Sequence, residues 1–201
     1  EHAYNLVKNT DHDQRLNILN SLIEIYDMKG FIELKSAYIS EMYDIALEKG
    51  NLDYLIKAKY YDTEMLLNTN QIDAAENMIL EMEDILNKNE GLWDGQILLL
   101  MSKANMEFDK NSFDVIEDYL TKAINISKEN NILKYLGNLY NLYGVYYYLT
   151  GMPEEAIDFF NKSIKAYEED NNIIEEYKPI NNIGNIYLNV YSMYRSEERR
   201  V

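Results

Sequence analysis

The sequence predicts an all-α chain of about nine or ten helices arranged as antiparallel pairs, and three observations carry that prediction. Breakers are scarce: 201 residues contain eight Gly and two Pro, which favours long helices over a many-turned β fold. The breaker-like positions that exist are periodic. Gly30, Asn70, Asn111 and Gly151 are spaced 40, 41 and 40 residues apart, and Asn51, Gly91, Asn131 and Asn171 interleave with them at 40 each time. Two interleaved series at one period mean two helices per repeat. Between breakers, apolar residues recur at helical rather than alternating spacing.

The elements follow in order. A first fragment is expected over His2–Lys8, with Thr10 to Asp13 as a polar break suited to capping. Gln14–Met28 places Leu16, Leu19, Leu22, Ile23 and Tyr26 on one face, and Phe31–Lys49 does so with Leu34, Tyr38, Met42, Ile45 and Ala46. Leu52–Thr69 and Gln71–Asn89 form the next pair, then Trp93–Asp109 with Ser112–Glu129. Ile132–Thr150 pairs with Pro153–Glu169, where Pro153 suits a first helical position that needs no amide donor and Glu154 and Glu155 suit the helix dipole. The pairs thus span 14–49, 52–89, 92–129 and 132–170, and 172–194 forms an incomplete fifth unit.

Gly144 and Gly184 stand 40 residues apart inside apolar helical patterns. Each costs about 0.5–1 kcal/mol relative to Ala in a helix interior, so the expectation is close helix–helix approach at both. Pro179 predicts a kink or a fresh helix start. Arg15 is the only Arg before position 195, yet Arg195, Arg199 and Arg200 crowd the last seven residues. Arg195–Val201 therefore reads as a non-native tail and is set aside; in that reading the natural chain continues beyond Tyr194.

These residues resemble the tetratricopeptide repeat family. Tyr140, Tyr143, Gly144 and Tyr147 match the first helix of its unit, and Ala156, Phe160 and Ser163 match the second. Ile180, Ile183, Gly184 and Tyr187 match a further first helix; Ala104, Ile116, Leu120 and Ala123 give a weaker match, as do Ala75, Ile79 and Met82. The 40-residue spacing departs from the 34 of the standard unit and is similar to longer-helix variants of bacterial signalling proteins. The resemblance implies a right-handed α-solenoid with a concave inner face, in which Ala104, Tyr140, Tyr143, Gly144, Tyr147, Ala156, Phe160, Gly184 and Tyr187 are packing positions.

Composition narrows the function. Hydrophobic residues make up 47% of the chain, more than a disordered tail would carry, and no apolar run approaches the length of a membrane span. A formal net charge of −16 disfavours direct contact with nucleic-acid phosphates and with anionic membranes. No cysteine is present, which agrees with a reducing, cytoplasmic setting. His2 and His12 are the only histidines; no His-based metal or acid–base site, phosphate-cradling loop or nucleophile elbow is recognisable. Runs such as Glu81–Glu83–Asp84 read as solvated helix faces. No enzyme activity and no cofactor are expected of this chain.

The remaining candidates are polar groups on first helices. Of 19 tyrosines, Tyr140, Tyr143 and Tyr147 fall on the packing seam, whereas Tyr148 points elsewhere, towards the presumed groove. In the frame of the resemblance, groove-facing positions lie three before and one after the repeat glycine. Asn141 and Asn181 occupy the former, Asn105 and Asn185 the latter. An Asn amide offers donors and an acceptor, which suits the backbone of an extended peptide. The expected function is a non-catalytic module that receives a peptide or protein on its concave face, as the sensory or scaffolding part of a bacterial signalling or regulatory protein. The resemblance implies that a diguanylate cyclase, a histidine kinase or a DNA-binding domain could flank it; a purely structural assembly scaffold is the alternative. The half-built unit at the C-terminal end is expected to fray or to self-associate through its apolar face.

Overall fold

In the computed structural model, residues 11–172 and 174–198 are described, with side chains up to residue 189. The expected fragment at His2–Lys8 lies outside them, as do residues 199–201. The described chain is helical throughout, with no strand: α1 (His12–Lys29), α2 (Ile32–Lys49), α3 (Leu52–Asn68), α4 (Ile72–Lys88), α5 (Trp93–Asp109), α6 (Ile116–Glu129), α7 (Leu136–Leu149), α8 (Pro153–Glu169) and α9 (Tyr177–Glu198). A single 3₁₀ turn, Leu133–Tyr135, leads into α7.

One local device ends most of these helices. Gly30, Gly50, Asn70, Gly91, Asn111, Asn131, Gly151 and Asn171 all have positive φ, between 52° and 84°. Gly tolerates this left-handed backbone freely and Asn better than most residues. At several of these ends the residue after the left-handed one donates its N–H back to the last turn. Phe31 bonds the Tyr26 carbonyl at 3.1 Å, Gln71 that of Leu66 at 2.8 Å, Ile132 that of Ser127 at 2.8 Å, and Met152 that of Tyr147 at 2.8 Å. This Schellman closure satisfies carbonyls the helix leaves free and reverses the chain within two or three residues. Seven of the eight breaker positions read from the sequence take the left-handed backbone. The eighth shifts by one residue: Gly50 is left-handed, and Asn51 instead caps α3, its side chain accepting from the Tyr54 N–H at 3.3 Å.

Of the later boundaries, one differs from expectation and one agrees with it. α6 begins at Ile116 rather than Ser112, which puts Glu117 and Asp118 in its first turn, where the helix dipole favours them. Pro179 marks a fresh start: it is the third residue of α9, within the turn whose N–H groups have no intrahelical partner. The backbone of 195–198, set aside as tail, continues α9 as helix.

The chain divides into two compact units, 1–110 and 111–201, so the boundary falls inside the expected pair 92–129. In the first unit α1 packs on α2, α2 on α3, α3 on both α4 and α5, and α4 on α5. Leu16, Leu19, Ile23, Ile39, Met42 and Ile56 are fully buried there, and Leu67, Ala75, Ile79 and Met106 close a cluster between α3, α4 and α5. In the second unit α6 packs on α7, α7 on α8, and α9 on both α7 and α8. Its core contains Ile116, Leu120, Ala123, Leu139, Ala156, Phe160, Tyr167 and Ile186. Within each unit this is an all-α, solenoid-like arrangement in which helices pack against their neighbours in sequence order. Small residues hold one repeat position: Thr63, Ala104 and Gly144 are buried, and Gly184 follows 40 residues later.

Candidate functional site

The second unit brings most of the candidate residues together, and α7 positions them. On one side α7 lies directly against α8. A Cβ on Gly144 would stand 2.4 Å from the Phe160 ring, and one on Gly137 would stand 2.4 Å from that of Tyr167. Only backbone without a side chain fits these rings. The Ser163 hydroxyl donates to the Gly137 carbonyl at 2.7 Å, and Tyr167 donates to Asn138 Oδ1 at 2.5 Å. Ala156 and Phe160 are buried as expected.

The seam tyrosines stack on a residue that sequence reasoning missed. The Phe159 ring lies 4.7 Å from Tyr143 and 5.2 Å from Tyr147, both near parallel, and 6.2 Å from Tyr140. Lys162 Nζ stands 4.0 Å from the Phe159 ring centroid, a cation–π contact. The Tyr143 hydroxyl lies 2.5 Å from that of Thr121. Burial raises the Tyr143 phenol's pKa above its ordinary value, the Thr121 hydrogen bond opposes this, and the Glu117 charge adds to it. Burial first and Glu117 second push up Tyr146 and Tyr147 as well. These phenols stay neutral near pH 7 and act as packing and hydrogen-bonding groups.

On another side α7 meets α9, and here the asparagines lie. Asn182 Nδ2 donates to Asn141 Oδ1 at 3.0 Å, and Asn189 Nδ2 donates to the Tyr148 hydroxyl at 2.5 Å. Asn141 is half-buried, and its own amide nitrogen has no partner among the described residues. Asn181 and Asn185 are exposed on α9. Tyr148 does not open into a free groove. Its ring packs beside Ile183 and Val145 against the Ala156–Phe160–Ile186 cluster, because α9 covers the side to which it points. Asn182 and Asn189 were not among the expected residues. The available signal was pairwise: each stands 41 residues after its partner on α7.

Two packing expectations are corrected. Gly184 is exposed with nothing within 4 Å of a Cβ, and Tyr187 is 59% exposed. Close approach, the reason given for both repeat glycines, holds at Gly144 alone. No described helix covers the Gly184 face of α9 as α8 covers the matching face of α7.

Of the remaining candidates, Ala104 is fully buried and Asn105 half-buried on α5, in the first unit. That unit also holds an open groove of about 720 Å³, with Tyr43, Leu55, Asn77 and Leu80 among its walls and Lys59 at its floor. The lysine is 4% exposed and its charge is engaged: Nζ pairs with Glu81 and stands 5.2 Å from the Tyr43 ring centroid. Among the described residues no three of His, Cys, Asp and Glu cluster to hold a metal ion, and no helix is long and apolar enough to cross a membrane. No family model matches the chain, and no curated protein matches its sequence.

Proposed function

We propose that this chain is a non-catalytic binding module, made of long helix pairs of the tetratricopeptide type, that takes an extended peptide or protein segment along the first helices of its pairs. The observation that carries the reading is the set of asparagine amides on two adjoining helices: Asn141 on α7 with an uncommitted amide nitrogen, and Asn181 and Asn185 exposed on α9. An amide that donates and accepts can pair with a backbone of any sequence, and side-chain pockets beside it then supply selectivity. Asn182 holds Asn141 in place, so part of the ordering cost of binding is met before the ligand arrives. Tyr148, committed to Asn189, is a wall of this face rather than a donor. Asn105 has the corresponding repeat position on α5 in the first unit and is proposed to serve that unit by itself.

The charge of −16 favours neutral or basic partners over nucleic acid and anionic membrane. A chain without cysteine fits the cytoplasm, where the module would serve as the sensory or scaffolding part of a signalling or regulatory protein. A test is to select nine-residue peptides from a random display library and to measure their affinities by calorimetry. Replacing Asn141 and Asn181 together by Ala should weaken binding about five- to thirtyfold, the equivalent of one or two hydrogen bonds. Peptides that bind the double variant as tightly as the natural chain would refute the asparagine face.

A further inference from the structure

One face of α9 lies open among the described residues. Ile180 is 52% exposed and Leu188 67% exposed, and Gly184 lies midway between them with open space above it. The three positions are i, i+4 and i+8, one ridge of an α-helix. Tyr187, 59% exposed, flanks it. The same positions one repeat earlier, Tyr140, Gly144 and Tyr148, are helix-packing positions: Gly144 is covered by Phe160 of α8, and Tyr140 is 6.2 Å from Phe159. This ridge is therefore of the type the fold uses to seat another helix. Large apolar residues clustered on one exposed face mark an interaction surface.

Charge selects the occupant. Charged residues make up 27% of the chain and its net charge is −16, yet none stands between Pro179 and Tyr194. Two copies repel over most of their surface, and this strip is where they can meet without opposing like charges. The ridge is also symmetric about its glycine. Under a two-fold axis through Gly184, Ile180 of one copy falls against Leu188 of the other, and the reverse, while the two glycines let the helix backbones approach closely. Ridges of this i±4 type pack into each other at about −50°, and a two-fold contact closes as a dimer rather than growing into a fibre.

We infer that two copies of this chain associate through α9, crossing at Gly184 with Ile180 of each against Leu188 of the other. Asn181 and Asn185 stand beside this ridge, at i and i+4 with Gly184 and Leu188 at i+3 and i+7, so a dimer would cover part of the asparagine face. Peptide affinities measured on dilute monomer keep the two proposals distinguishable, and failure of the dimer would leave the peptide-binding proposal standing.

Sedimentation velocity of the full chain, in about 0.15 M salt to screen the like charges, should show a monomer–dimer equilibrium at concentrations on the order of 100 μM. Leu188→Glu, on an exposed site that leaves the fold intact, should weaken it at least tenfold. Adding Ile180→Lys to that variant should restore the dimer, because the register sets the introduced ammonium of each copy against the introduced carboxylate of the other. The absence of cysteine permits a second readout. Gly184→Cys places a thiol at the crossing, where Cα atoms fall within the roughly 7 Å a disulfide can span; it should oxidise to a covalent dimer much faster than the exposed Asn161→Cys on α8. The inference is overturned if the chain stays monomeric, which would leave the face to a different partner. It is also overturned by oligomers that grow without limit, by a double variant no better than Leu188→Glu, or by equal oxidation at positions 184 and 161.

Discussion

Gly144 and Gly184 occupy one repeat position, and a single methyl group distinguishes their surroundings. At Gly144 it would meet the Phe160 ring at 2.4 Å, and overpacking of this kind costs about 1–3 kcal/mol. At Gly184 it would enter open space, so the helix propensity of Ala returns about 0.5–1 kcal/mol. Gly144→Ala is therefore expected to lower the urea midpoint and Gly184→Ala to raise it; equal shifts would show that the two backbones are equally crowded. The matching glycines were legible as a pattern and the exposed apolar face of the last unit was expected, but the close approach read into both glycines holds only where a described helix packs on them. Phe159 was missed for a related reason. The small-x-x-x-aromatic spacing from Ala156 selects Phe160, whereas Phe159, about 100° round the helix, stacks on Tyr143 and Tyr147 from the side. Asn141 and Asn181 were legible as positions, yet the bond that orients Asn141 comes from Asn182, which no single-residue pattern singles out.

At the scale of elements, the helix ends were the most legible part of the chain, since Gly and Asn announce a left-handed backbone through local sterics alone. Asn131, at φ 55°, ends the α6 turn, with Ile132 bonded back to Ser127. Placing a Cβ-bearing residue without the Asn side chain there costs about 1–2 kcal/mol. Asn131→Ala is thus expected to lower stability by about 1 kcal/mol in thermal or urea unfolding, and Asn131→Gly to leave it unchanged or slightly higher. A neutral Asn131→Ala would mean that the turn does not depend on this conformation. Starts were less legible than ends. α6 begins four residues later than its breaker suggests, because the run after Asn111 carries apolar residues at helical spacing but is held in turns, with the Ile116 N–H bonded to the Phe113 carbonyl at 3.4 Å. The Pro179 start was readable because proline leaves its helix few alternatives.

For the whole molecule, the 40-residue period foretold an all-α chain of short-looped pairs, and packing between sequence neighbours within each unit follows from those loops. The division at Lys110 and Asn111 was not legible, since Asn111 resembles every other left-handed breaker and local turn chemistry does not encode what packs across a turn. The central claim is that one unit is used repeatedly and that its first helix is buried only where neighbouring helices cover it: α7 lies between α6, α8 and α9, whereas α9 carries an open ridge. Amide hydrogen exchange on dilute, monomeric protein tests this most directly, because protection reports the local free energy of opening. The amides of Gly144 to Tyr147 should exchange at least about a hundredfold more slowly than those of Gly184 to Tyr187, a difference of roughly 2.7 kcal/mol. Equal protection of the two segments would contradict the account.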